Sequence, residues 1–257
     1  MWHTGSSSPD RLPSKFIKLA VKNVEALLLD LDGTLLDIEV SFFLDTMTRS
    51  MAVYFKDLLP VELFESGLMG CIQELTNNPR ADGETNEVGF FSTFEELTGV
   101  DAIVARERFG SFYQEVFPGF SRHGAPVRYA RELIDAAAEN DLVLVLATTP
   151  IFPRVAILER MRWGRISEGP FHLISDMETT QFCKPQEEYY LEIAGALSIR
   201  PEKCLMVGND SSHDMAAKEV GMKTFLASTH RVDRGGAVTA PDATGDLKQL
   251  GRLLGFW

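Results

Sequence analysis

The sequence predicts an α/β protein, a doubly wound, Rossmann-like parallel sheet interrupted after its first strand by an all-helical insert. Three observations carry this. Short apolar runs recur at Glu25–Asp30, Leu142–Ala147, Phe171–Ser175, Cys204–Val207 and Lys223–Leu226, each of a length suited to a strand buried on both faces. Helix-forming segments alternate with the later runs. Between the first two runs, apolar residues recur instead at spacings of three and four.

Taken in order, residues 1–23 mix polar, charged and apolar side chains, and Gly5-Ser6-Ser7-Ser8-Pro9 reads as a flexible extension. The first apolar run, Ala26 to Leu29, stops at Asp30, far short of the roughly 20 residues that span a bilayer. No secretory signal is visible, and neither a membrane partner nor a spanning segment is expected. In the insert, Val40, Phe43, Met47, Met51, Tyr54 and Leu58 lie on one helical face. Further helices are expected over 60–76, 88–98, 101–116 and 126–139, punctuated by Asn77-Asn78-Pro79 and Gly99. The division is therefore 24–38 and 138–257 for the sheet domain, 39–137 for the helical one. Within the sheet domain, helices are expected from Pro153 to Trp163, Pro185 to Leu197 and Ser212 to Val220, the last ended by Gly221.

Composition narrows the function classes. At 257 residues and 45% hydrophobic, the chain can bury a substantial core. Its net charge of −12 disfavours nucleic acid, which is bound by neutralising phosphates with Lys and Arg. The same charge disfavours any phosphorylated ligand unless cations gather at a site. Cys71, Cys183 and Cys204 form no close pair, which suits reduced thiols and a cytoplasmic protein.

The strongest chemical signal is Leu27-Leu28-Leu29-Asp30-Leu31-Asp32-Gly33-Thr34-Leu35-Leu36. Two carboxylates two residues apart at the end of an apolar strand share a face if the chain stays extended. Burying both requires a cation or a proton. Gly33 permits a sharp exit from the strand. A simple Asp-Gly turn explains the glycine but not the paired acids.

Asp30-Leu31-Asp32-Gly33-Thr34-Leu35-Leu36 resembles the first motif of the haloacid-dehalogenase-like superfamily. That resemblance implies three further signals in order, and each has a match. Leu142 to Ala147 ends in Thr148, followed by Thr149 where relatives often have Asn. Cys183-Lys184-Pro185 matches a lysine at a helix start. Val207-Gly208-Asn209-Asp210 with Asp214 matches the acidic motif, although Asn209 intervenes between the glycine and the first acid.

What the resemblance implies is a phosphatase with a mobile helical cap. Asp30 is the expected nucleophile and Asp32 the acid and base. Thr148, Thr149, Gly33 and Thr34 would hold the phosphoryl group, and Lys184 would neutralise charge on it and on Asp30. Mg²⁺ is the implied cofactor, held by Asp30, Asp32 (through its backbone carbonyl), Asp210 and Asp214, with the choice between the last two open. The expected partner is a small phosphorylated metabolite, cleaved through an aspartyl-phosphate. A sugar phosphomutase on the same core and a non-catalytic phosphate-binding module stand as alternatives. Dehalogenation would need neither a second carboxylate nor a metal. A Schiff-base lysine in the insert would have to be Lys56, its only lysine.

Overall fold

The computed structural model describes residues 23–79, 83–234 and 239–257. Residues 1–22 of the N-terminal extension, and residues 81 and 82 of the Ala81–Asn86 stretch, a candidate specificity loop in sequence, lie outside them. The chain begins with strand β1 (Ala26–Leu29) and a short β2 (Leu36–Ile38). Four helices follow: α1 (Val40–Tyr54), α2 (Val61–Asn77), α3 (Asn86–Thr98) and α4 (Ala102–Glu115). A 3₁₀ segment, Phe117–His123, leads to β3 (Gly124–Pro126), which pairs antiparallel with β2. The chain thus leaves the sheet domain and returns to it along one two-stranded ribbon.

The remainder alternates: α5 (Ala130–Glu139), β4 (Val143–Leu146), α6 (Arg154–Trp163), β5 (Leu173–Ile174), α7 (Glu187–Leu197), β6 (Cys204–Gly208), β7 (Lys223–Ala227), β8 (Ala243–Gly245) and α8 (Leu247–Leu254). Six strands form one parallel sheet in the order β5-β4-β1-β6-β7-β8. From β1 the chain winds outward through β4 and β5, then crosses to β6. The carboxyl ends of β4, β1 and β6 therefore flank the switch in strand order, where open α/β sheets bind ligands.

Alternation along the buried strands builds two cores. Leu27, Leu29, Leu144, Leu146, Leu205 and Val207 face one, which runs on into the insert. Ala26, Leu28, Val145 and Met206 face the other, against Tyr189, Tyr190 and Ile193 of α7. The insert has its own aromatic centre: the Phe55 ring lies 4.7 Å from both Phe64 and Phe109, and Phe94 lies 5.4 Å from Phe109. Each such pair adds about 0.5–1.5 kcal/mol beyond its buried area. Glu39 caps α1 through the Phe42 amide, and Asp101 caps α4 through the amides of Ile103 and Val104. Among the described residues, no helix is long and apolar enough to cross a membrane.

The structure modifies three local expectations. Helix α5 lies against β4 and α8, so the boundary expected after residue 137 falls inside a helix of the sheet domain. The helix expected from Ser212 to Val220 is only a 3₁₀ turn, Met215–Lys218. Here Asp210 and Asp214 spend their side chains on the backbone, the local competition that keeps Asp out of helix interiors. The third strand shrinks to Leu173–Ile174.

Candidate active site

Asp30 follows β1, and its amide still donates to the Val207 carbonyl at 2.9 Å. The strand thereby delivers the carboxylate to the carboxyl edge of the sheet. Asp30 Oδ1 accepts from Lys184 Nζ at 3.0 Å, and Oδ2 from the Thr34 hydroxyl at 3.1 Å. That hydroxyl also lies 3.2 Å from Asn209 Oδ1. Thr34 is fully buried, so it orients Asp30 from below.

Gly33 makes this turn possible. Its φ is +79°, and a Cβ there would sit 2.3 Å from Asn209 Nδ2. Gly33→Ala should lose about 1–2 kcal/mol from the left-handed backbone and more from the clash. Gly99→Ala, also at positive φ but with nothing within 4 Å, is the control that isolates the first cost. Urea midpoints for the two variants measure the difference.

Lys184 precedes α7 and is 1% exposed. Its Nζ lies 2.6 Å from Asp214 Oδ1 as well as 3.0 Å from Asp30. Burial works against the charged ammonium, but Asp214 and Asp30 outweigh it and hold its pKa well above the ordinary value. Asp214 Oδ2 accepts the Asp210 amide at 2.9 Å. A Cβ on Gly208 would fall 2.1 Å from Asp214 Cγ, so only glycine lets the acidic loop fold back beneath β6. Tyr189 stands behind this cluster, its hydroxyl 2.9 Å from both Ser175 Oγ and the Thr148 carbonyl.

The Asp30 carboxyl is pushed up to about 7. Burial is the largest cause; Lys184 opposes it, and Asp214 and Asp32 add to it. Asp210 shows the opposite balance. Burial raises it, but the amides of His213 and Ser212 and the Arg234 guanidinium outweigh burial and hold it below the usual carboxylate range.

Thr148 and Thr149 follow β4 and line the same cavity as Asp30, Asp32, Asp210 and Asp214. Every residue singled out by the motifs thus comes together at one end of the sheet. Two partners are new. Arg160 of α6, fully buried, forms an ion pair with Asp32 Oδ2 and packs over the Phe152 ring at 4.2 Å. Asp32 Oδ1 and Arg160 Nη2 are buried without a partner. Arg234 Nε donates to Asp210 Oδ2 at 2.6 Å. The Cys183 thiol, beside Lys184, is pushed up to about 12 mainly by burial, as suits an inert packing residue.

Asp30, Asp32, Asp210 and Asp214 face three cationic side chains: Lys184, Arg160 and Arg234. Among the described residues, no group of three or more acidic, His or Cys side chains is arranged to hold a metal ion. Asp32 and Asp214 turn their carboxylates to Arg160 and Lys184. The donors at Asp30 and Asp210 are still hard oxygens of the kind magnesium takes, and the raised Asp30 pKa marks a place where further positive charge is welcome. The residues fit such an ion, provided Arg234 releases Asp210.

A family model described as a haloacid dehalogenase-like hydrolase matches residues 24–221. Protein CbbY (plasmid) of Cupriavidus necator is 27% identical over 212 residues, covering 80% of this chain and 79% of the relative. A phosphorylated carbohydrates phosphatase of Thermotoga maritima is 25% identical over 225 residues, covering 88% and 94%. Among solved structures, a HAD phosphatase from Thermococcus onnurineus superposes with a TM-score of 0.59 at 17% identity, over 90% of this chain and 98% of that one. The L-2-haloacid dehalogenase of Xanthobacter autotrophicus does so at 0.52 and 13% identity, over 90% and 98%. These structures share the fold and divide between two chemistries.

Proposed function

The chain belongs to the haloacid dehalogenase-like hydrolases, and from that premise we propose that it is a magnesium-dependent phosphohydrolase acting on a small phosphomonoester. The observation that carries this reading is Asp30 between Lys184 and Thr34, with a second acid, Asp32, two residues on. A carboxylate held between a buried ammonium and a hydroxyl is aimed and charge-balanced for attack on phosphorus. Lys184 stays charged throughout and neutralises both Asp30 and the transferring group. Thr148 and Thr149 hold the phosphoryl oxygens at the end of β4. Asp32 protonates the leaving oxygen and then takes a proton from the water that resolves the aspartyl-phosphate. For this its carboxylate exchanges Arg160 for the substrate.

Asp30, Asp210 and the Asp32 carbonyl would hold magnesium, and Asp214 would position Lys184 and the Asp210 backbone. The ion, when bound, supplies charge stabilisation on the phosphoryl oxygens. Arg234 occupies Asp210 in its place. Arg234→Gln should therefore lower the Mg²⁺ concentration at half-maximal thermal stabilisation by about tenfold, the scale of one charge-assisted hydrogen bond. An unchanged midpoint would show that the guanidinium does not compete.

The four helices would act as a cap that admits the ester and excludes water. The substrate is taken to be a metabolite rather than nucleic acid, and the three buried free cysteines suit a cytoplasmic setting.

One observation favours a second reading. Arg160 neutralises the second carboxylate, and displacement of halide from carbon by Asp30 needs no acid there. Inorganic phosphate release from p-nitrophenyl phosphate, with Mg²⁺ and with chelator, tests the first reading. Halide release from 2-haloacids tests the second. Halide without phosphate would replace the phosphohydrolase.

A further inference from the structure

We infer that the leaving group of this site is a bulky apolar alcohol, an inference that rests on the phosphohydrolase reading. The cavity that begins at Asp30 and Asp32 measures about 910 Å³, near the upper end for small-molecule sites. A phosphoryl group fills only the end of it at the sheet. The space beyond lies under the insert, where α1 and α2 contribute Leu44, Met47, Met51, Met69 and Ile72 and α4 contributes Phe109. Apart from Lys184 and Arg160, which hold the carboxylates from behind, the described cationic side chains at this cavity are few, and each is engaged. Arg106 pairs with Glu87 at 2.5 Å and lies over the Phe91 ring at 4.7 Å. Arg234 stands at the reaction centre on Asp210.

A leaving group with a carboxylate or a second phosphate would enter this wall unpaired, beneath a chain of net charge −12. A sugar would set most of its hydroxyls against methionine and phenylalanine, with too few polar side chains to pair them all. An alkyl or aryl group would instead be removed from water along its length, and flexible methionines adapt to its shape. The polar handles in this wall are few: the Tyr113 phenol, the hydroxyls of Ser41, Thr48 and Thr76, and the Asn77 amide.

The test compares ethyl, butyl, hexyl and octyl phosphate with glucose 6-phosphate, with Mg²⁺ present. kcat/KM should rise roughly threefold per methylene, so octyl phosphate, six methylenes longer, should exceed ethyl phosphate by about 700-fold and glucose 6-phosphate by at least about 100-fold. Met69→Asp, at an exposed position, should flatten the rise while leaving the melting temperature nearly unchanged. Equal rates for octyl, ethyl and sugar esters would overturn the inference while leaving the hydrolase reading intact. Should no ester be turned over, calorimetry with octylphosphonate and methylphosphonate decides. Binding tighter by about 100-fold for the octyl compound would keep the apolar site and remove only the hydrolysis. Equal or absent binding would remove the site.

Discussion

Asp30→Asn protein should release phosphate at least about 10³-fold more slowly than the native chain, since an amide cannot take the phosphoryl group as the Asp30 carboxylate would. It should also be the more stable protein above neutral pH. Burial raises the native Asp30 pKa to about 7, against 3.8 for the unperturbed group. Between those values the folded state binds the extra proton, so the linkage slope is negative and native stability falls as pH rises toward 7. Above 7 the charged form is present in both states and the full burial cost applies. Asparagine carries no such charge. The gain in melting temperature over the native chain should therefore be largest near pH 8 and shrink toward pH 5, with magnesium absent. Melting curves at pH 5, 6, 7 and 8 check the sign. A variant less stable at pH 8 would mean that the Lys184 contact outweighs burial.

Lys184→Met should have the largest effect on folding. The ammonium is 1% exposed and bridges Asp30 and Asp214, so its loss leaves two buried carboxylates facing each other. Removing one partner of such a cluster costs about 3–5 kcal/mol. Methionine keeps most of the side-chain volume, so the loss is electrostatic. Lys184→Arg keeps the charge but brings a planar, wider group into the same space. Denaturant titration should rank native, Arg and Met in falling order. Lys184→Met combined with Asp30→Asn and Asp214→Asn should recover much of the loss. Failure of that recovery would trace the loss to packing.

What the sequence revealed and what it hid follow from range. Asp30, Asp32, Thr148, Lys184, Asp210 and Asp214 each end a strand or begin a turn, so local pattern marks them, and the sheet brings them together. Arg160 carries no such mark. It sits in Leu158-Glu159-Arg160-Met161-Arg162-Trp163 among other arginines, and its partner lies 128 residues away. Arg234, in a polar stretch, reaches Asp210 across 24 residues. Helix α8 was within reach: Asp246 and Gln249 form a capping box ahead of Leu247, Leu250 and Leu254. It lies beyond Asp214, past the last of the four motifs. The 3₁₀ turn at Met215–Lys218 was hidden because apolar spacing does not register acids that bond their own backbone.

The ribbon of β2 and β3 bears on how this chain finds its fold. Strands β1 and β4 must pair although the whole insert separates them, as the Ala26–Val143 register shows. Closing so long a loop carries an entropic penalty and slows folding in proteins of high contact order. Pairing Leu36 with Pro126 and Ile38 with Gly124 ties off the insert at its base. Once that knot is tied, the sheet has only the short segments beside it left to close. The insert, with both ends fastened side by side, is also a cassette. Another helical unit could be exchanged at Ile38 and Gly124 while the sheet keeps its register, so the fold separates the sheet that carries the acidic cluster from the helices that wall the cavity beside it.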